Sequence, residues 1–344
     1  MKAMQLTGIC QMTEQSTPLS LTELPIPRPA PEEVLLKVSM CAVCHTELDE
    51  IEGRTPPPRY PVVPGHQVIG SVVDAGCNAK RFQIGARLGV GWIFSACGNC
   101  GYCTTGLENL CTQFSATGRD ANGGYAEYMT VHQDFAVSIP DSLRDEAAAP
   151  LLCAGAIGYR SLRLSGIRDG QTLGLTGFGA SAHLVLKMLQ VTHPSSEVYV
   201  FARNAEERRY ALELGAGWAG NTDDTPPRKL AAIIDTTPVW HTLLRALEHL
   251  EANGRLVINA IRKEDTDKQV MAEIDYPRHL WLEKNIKSVA NVTRKDVADF
   301  LQLADQLNLQ AEVQLYPLTG ANQALCELKF QRVRGAKVLQ IGSA

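Results

Sequence analysis

The stretch Gln171-Thr172-Leu173-Gly174-Leu175-Thr176-Gly177-Phe178-Gly179-Ala180-Ser181-Ala182 decides how the chain is read. Its first half is a short apolar strand. The second half fits G-x-G-x-x-G/A, with Ala182 in the third place. In that pattern the first glycine permits a tight turn and the second lets backbone approach a pyrophosphate. The small third residue lets helix and strand pack closely. A helical run from Ala180 to Gln190 follows, and its N-terminus offers free N–H groups to phosphate oxygens. Glycines mark many loops, so the match alone is weak. Here the turn follows a strand, opens a helix and stands among further strand–helix units, so a dinucleotide site is expected.

Those units lie on its C-terminal side. Strands are expected at 196–202, 231–235 and 255–258, and helices at 206–214, stopped by Gly215, and from Trp240 to Glu251. The alternation predicts a parallel, doubly wound α/β sheet. An NAD site usually carries Asp or Glu at the end of the second strand. This strand ends Phe201-Ala202-Arg203-Asn204 instead, with no carboxylate and with Arg203 placed to pair with a 2′-phosphate. NADP(H) is therefore expected over NAD(H); the plainer alternative leaves Arg203 on a surface loop.

The preceding ~150 residues read differently, as a β-rich, irregular half. Val34–Val38, Val68–Val73 and Ala86–Val90 are strand-like runs between Gly and Pro turn signals. From Asn291 onward the chain mixes a helix, Lys295 to Leu307, with a strand at 336–341 and is expected to pack back on that half. Lys337 and Arg334 read as solvated charges beside an edge strand, with contact to cofactor phosphates as the alternative.

A length of 344 residues predicts about two domains, and 45% hydrophobic with 20% charged residues is ordinary globular composition. Disordered, collagenous and coiled-coil chains are excluded. A formal charge of −4 and 6% aromatic residues carry no footprint for nucleic acid or an anionic membrane. No run approaches the ~20 apolar residues of a membrane-spanning helix. The opening Met1-Lys2-Ala3-Met4-Gln5-Leu6-Thr7 lacks the apolar core of a secretory signal, so a cytoplasmic location is expected.

Ten cysteines then require a reason other than disulfides. Cys97, Cys100, Cys103 and Cys111 form C-x2-C-x2-C-x7-C, a spacing that closes four thiolates around a structural Zn²⁺. An iron–sulfur cluster is the weaker alternative, because the ferredoxin spacing is absent. Cys41-Ala42-Val43-Cys44-His45 matches the C-x-x-C-H haem signature, but that attachment accompanies export. Pairing Cys44 with the distant His66 and Cys153 instead supplies three ligands and one open position, as a catalytic zinc requires, although each residue alone reads as a buried thiol or a loop histidine.

These pieces, with Cys44-His45-Thr46, Gly65-His66, Ala148–Gly155 and Asn253-Gly254-Arg255-Leu256, occur in one order along essentially the whole chain. In motifs and order the chain resembles the zinc-containing medium-chain alcohol dehydrogenases. The resemblance implies a GroES-like catalytic domain from residues 1–153 and 290–344, with a structural zinc lobe at about 92–113. A Rossmann domain would fill 154–289. Two zinc ions per subunit are implied, one on Cys44, His66 and Cys153 and one on the four-cysteine lobe. Thr46 would relay the alcohol proton, and His45 would sit near the pyrophosphate bound at Gly177, Gly179 and Ala182. Trp92 would line the substrate pocket or, as readily, pack the lobe. The implied activity is hydride transfer between a nicotinamide cofactor and a small-molecule alcohol or aldehyde, in a homo-oligomer, dimer or tetramer. An NAD-dependent alcohol or polyol dehydrogenase and a non-catalytic dinucleotide-binding regulator are the rivals.

Three positions depart from the family pattern. Gln67 replaces the Glu that often follows the zinc histidine. Glu47 replaces an Asp that would accept a hydrogen bond from His66. Asp49 stands where several relatives place a relay histidine, so proton release either bypasses Asp49 or uses it as an acceptor.

Overall fold

The computed structural model describes residues 1–309, 311–331 and 335–342. The chain divides into two compact units, one from Met1–Ala156 with Val292–Ala344 and the other from Ile157–Asn291.

The first unit is built on a long strand, β1 (Glu33–Val43), which is buried along most of its length, with only Lys37 exposed. Helix α1 (His45–Ile51) follows it directly. Strand β2 (Val68–Ala75) pairs antiparallel with β1, and β3 (Arg87–Val90) with β2. Strand β4 (Tyr128–His132) pairs with β1, and β5 (Ala136–Ser138) with β3. Leu36, Val38, Val68, Val72, Leu88, Tyr125 and Met129 form one buried cluster on this sheet. Each such aliphatic or aromatic side chain contributes about 1.5–3 kcal/mol by leaving water.

The second unit alternates as its sequence pattern predicts. Strand β6 (Thr172–Thr176) leads into α2 (Ala180–Thr192), β7 (Glu197–Phe201), α3 (Ala205–Glu213) and a short β8 (Trp218–Gly220). Strand β9 (Leu230–Asp235), α4 (His241–His249), β10 (Leu250–Ile258) and β11 (Asn285–Ser288) complete it. Among the described residues the strand order is β8-β7-β6-β9-β10-β11, all parallel. The order reverses between β6 and β9, the switch point outside which such sheets bind ligands. The chain then returns to the first unit as α5 (Arg294–Gln306), β12 (Val313–Pro317), α6 (Ala321–Phe330) and β13 (Ala336–Gln340). Strand β13 pairs antiparallel with β1, placing Lys337 opposite Val43.

Two expectations change. The helix expected to reach Glu251 ends at His249, because Leu250 joins the ladder opposite Leu230 and extended pairing ends the helix. Lys337 is not a solvated charge. It is buried, and its ammonium donates to Tyr316 Oη and to a Glu327 carboxylate oxygen, each at 2.5 Å, and to Gln314 Oε1 at 3.3 Å. A lysine is tolerated in a core only with such partners, and all its contacts are internal. Arg334 lies outside the described residues.

Candidate metal and dinucleotide sites

Cys44 caps the N-terminus of α1, and its backbone N–H donates to Glu47 Oε2 at 2.8 Å. The other Glu47 oxygen, Oε1, stands 2.7 Å from His66 Nδ1, with both side chains buried. One carboxylate therefore spans two of the three expected ligands. His66 follows Gly65, which has φ +100; a Cβ there would sit 2.4 Å from Tyr125 Cδ1 and 2.8 Å from Cys41 Sγ, so only glycine fits. Cys153 lies on a single π turn, Leu151–Gly155, a rare irregularity that often marks functional positions. Trp92 is 8% exposed and meets the His66 ring edge-on, centroids 5.2 Å apart. It thus packs in the core and braces the imidazole at once.

The donor set fits a metal. Ligand atoms of Cys44, His66 and Cys153 lie within 4.8 Å of one another, and the two sulfurs are 4.0 Å apart. Tetrahedral zinc with its usual sulfur bonds wants roughly 3.8 Å between sulfurs. Both His66 ring nitrogens are buried without a well-aligned hydrogen bond, but Nδ1 lies 2.7 Å from Glu47 Oε1, which leaves Nε2 as the ligand atom. The hydrogen bond between the two thiols holds Cys44 well below the ordinary thiol range and lifts Cys153 well above it. Burial pulls His66 down, but the Glu47 charge and the Cys44 contact more than reverse it.

Around these ligands, Thr46 is buried with Oγ1 3.6 Å from Cys44 Sγ, and His45, the first helical residue, is exposed. Gln67 is buried, and its carbonyl accepts from the Ala42 N–H. Asp49 is buried and its Oδ1 accepts from Arg54 Nε at 2.5 Å. The sequence reading missed Glu50. It is 1% exposed, Oε1 has no hydrogen-bond partner, and burial together with the Glu47 charge holds its pKa well above the usual carboxylate range. Its i+3 spacing from Glu47, on the same face of α1, was the available signal.

The second cluster is local. Cys97, Cys100, Cys103 and Cys111 offer ligand atoms within 4.8 Å of one another, with Cys97 Sγ 3.8 Å from Cys103 Sγ and 3.5 Å from Cys111 Sγ. Backbone N–H groups of Asn99 and Cys100 pull the Cys97 thiol down to about 6, while burial pushes Cys103 up to about 12. The lobe is fastened from outside: buried Glu108 accepts from Arg294 N at 2.7 Å and Nε at 3.2 Å.

In the second unit Gly177 has φ +77, and a Cβ there would meet Thr236 Oγ1 at 2.8 Å. Gly179 is the N-cap of α2, with open space where its Cβ would be. Ala182 is fully buried. Arg203, just past β7, is exposed, and among the described residues its guanidinium makes no hydrogen bond or ion pair. Arg208 reaches back to the carbonyls of Ala202 and Arg203 at 2.7 and 2.8 Å, fixing the backbone that carries Arg203.

A GroES-type β unit bearing two candidate cysteine-rich metal sites, in one chain with a glycine-turn parallel sheet, defines a metal- and nicotinamide-dependent dehydrogenase class. Residues 30–141 match the alcohol dehydrogenase GroES-like domain. The chain is 41% identical over 329 residues to a probable alcohol dehydrogenase AdhA of Mycobacterium tuberculosis (strain CDC 1551 / Oshkosh), covering 94% of this chain and 93% of the relative. It is 31% identical over 330 residues to a probable cinnamyl alcohol dehydrogenase of Populus deltoides, covering 91% of this chain and 90% of that protein. The solved cinnamyl alcohol dehydrogenase SbCAD4 of Sorghum bicolor is 26% identical and superposes with a TM-score of 0.81, covering 98% and 97% of the two chains. The chain belongs to the zinc-type medium-chain alcohol dehydrogenase family. It is an oxidoreductase that interconverts alcohols and carbonyl compounds with a nicotinamide cofactor and zinc. No helix of the described residues is long and apolar enough to cross a membrane.

Proposed function

We propose an NADP(H)-preferring, zinc-dependent dehydrogenase that acts mainly as an aldehyde reductase on primary alcohols and aldehydes. The observation that carries the zinc assignment is the buried, unpartnered His66 Nε2 beside Cys44 and Cys153. These three residues hold the catalytic ion, and Cys97, Cys100, Cys103 and Cys111 hold a second, structural one. Zinc held there supplies Lewis acidity, which brings an alcohol hydroxyl's pKa towards ~7. The dinucleotide supplies the hydride chemistry.

The chain's own residues do the rest. Glu47 fixes the tautomer and orientation of His66. Trp92 keeps water from one face of that ring. Thr46, whose hydroxyl both donates and accepts, passes the substrate proton on. Exposed His45 is assigned to the pyrophosphate. Asp49 is committed to Arg54, which supports the route that bypasses it. Gly177, Gly179 and Ala182 shape the phosphate cradle, and Arg203 pairs with a 2′-phosphate.

The chain forms a homo-oligomer in this reading. Strand β11 is a sheet edge whose four residues, Ile286 among them, are all exposed, and Trp281 and Leu282 just before it are about half exposed. Such an edge calls for a covering strand, and a second copy supplies the same edge. Ten cysteines, none in a disulfide, fit the reducing cytoplasm.

The test is initial rates for aliphatic and aromatic aldehydes with NADPH and NADH in parallel. A kcat/KM at least tenfold higher with NADPH, about 1.4 kcal/mol, is expected. Equal or better rates with NADH would remove the Arg203 assignment and leave the zinc chemistry standing.

A further inference from the structure

Asp235 ends β9 and has no solvent exposure. Its Oδ1 accepts from Thr176 Oγ1 at 2.5 Å, from Thr237 Oγ1 at 2.8 Å and from Thr237 N at 3.1 Å. Its Oδ2 accepts from Lys263 Nζ, which also donates to the carbonyls of Thr237 and Val239, each at 2.9 Å. All three ammonium hydrogens are thereby used, on a side chain 8% exposed. Lys263 follows β10, so one cation ties that strand's exit to the exit of β9. Thr176, on the other side, ends β6 and immediately precedes Gly177.

The surrounding bonds run the same way. Thr236 N and Oγ1 both donate to Thr176 O, at 3.1 and 2.9 Å, and Thr236 Oγ1 lies directly under Gly177. Trp240 Nε1 donates to Glu264 O at 2.8 Å, and Asp267 accepts from the N–H groups of Trp240 and His241. The C-terminal ends of β6, β9 and β10 are thus locked together on the sheet edge that carries the glycine turn.

We propose that Lys263 and Asp235 form a clamp that presets the dinucleotide crevice, making Lys263 a positioning residue for cofactor affinity. The proposal rests on the reading that this unit binds the nicotinamide dinucleotide. A loop that is already fixed loses less freedom on binding, so loss of the clamp weakens cofactor binding while leaving hydride transfer in the filled site intact.

The experiment is fluorescence titration of NADPH and of NADH into the zinc-loaded wild type, Lys263→Met and the double variant Asp235→Asn/Lys263→Met, with melting temperatures alongside. The single variant strands a buried carboxylate and can lose stability; the double variant removes both charges and restores it. The expected result is a Kd raised roughly tenfold in both variants, with kcat at saturating cofactor and KM for aldehyde within twofold of wild type. A folded double variant with a Kd within twofold of wild type overturns the clamp. A failed preference for NADPH shows in the wild type alone and leaves the variant ratio intact; a wild type that binds neither dinucleotide overturns both.

Discussion

His66 Nδ1 lies 2.7 Å from Glu47 Oε1, and neither side chain reaches solvent. The same carboxylate holds the Cys44 N–H through its other oxygen. One side chain therefore sets the direction of an imidazole and the cap of the helix that begins at a thiol. Removing its charge in Glu47→Gln is expected to weaken zinc retention about 10–100-fold. Metal content after timed dialysis against a chelator checks this; retention equal to wild type would show that the carboxylate does not support the ligand.

The four-cysteine lobe gives a different signature. Cys100→Ser is expected to lower bound zinc from two ions to one per chain and to lower the melting temperature. The remaining catalytic ion should keep aldehyde turnover measurable at low temperature. Metal analysis that still finds two ions would remove the lobe as a zinc site.

Arg203 is exposed and unpaired among the described residues, so its replacement should cost little stability. Arg203→Ala is expected to lower kcat/KM with NADPH about tenfold and to leave NADH rates within twofold. Parallel losses with both cofactors would mean that Arg203 does not read the 2′-phosphate.

Asp49→Asn should leave the pH–rate profile of alcohol oxidation in place, because Asp49 already serves Arg54. A shifted acidic limb would restore Asp49 as a proton acceptor. The readable cost is stability, through the loss of a buried partner for that arginine.

His249 provides a pH test away from the metal. Its ring is buried, stacked on Phe201 at 5.4 Å, and burial with the nearby Arg245, Lys229 and Lys284 brings its pKa from 6.5 down to about 4. Glu248 opposes that shift only in part. A histidine depressed in the fold takes up protons more readily when unfolded, so its contribution is full above pH 6.5 and is lost as pH falls towards 4. His249→Leu is expected to flatten the fall in melting temperature between pH 6.5 and 4. An unchanged slope would show that other groups carry it.

Most of the second unit was legible in sequence because its signals are local. Gly177, Gly179 and Gly215 stand at real turns, and the strands they punctuate are buried apolar runs. The short edge strands β8 and β11 escaped, since β11 is exposed at every residue and has no hydrophobic alternation to read. The four-cysteine cluster was legible because its spacing is local, whereas Cys44, His66 and Cys153 lie far apart in sequence and were brought together only by the family resemblance. Lys337 and Lys263 were not legible, because a buried cation is defined by its acceptors. Those acceptors, Tyr316 and Glu327 for one and Asp235 for the other, lie 10 to 28 residues away in sequence. The i+3 relation of Glu47 and Glu50 was visible, but which face of α1 turns inward depends on the packing around His66.

The pairing of β13 with β1 has a consequence for the order in which the molecule is made. Cys44, His66 and Cys153 all leave the ribosome before the second unit is synthesised. The strand that lies against Val43, one residue before Cys44, emerges only after the second unit. A nascent chain halted near residue 291 has all seven zinc-ligand candidates synthesised while the neighbouring sheet still lacks β12 and β13. On the proposed zinc assignment, stable loading at Cys44 becomes a late event, and arrested chains are expected to carry zinc in the four-cysteine lobe before they carry it at Cys44, His66 and Cys153.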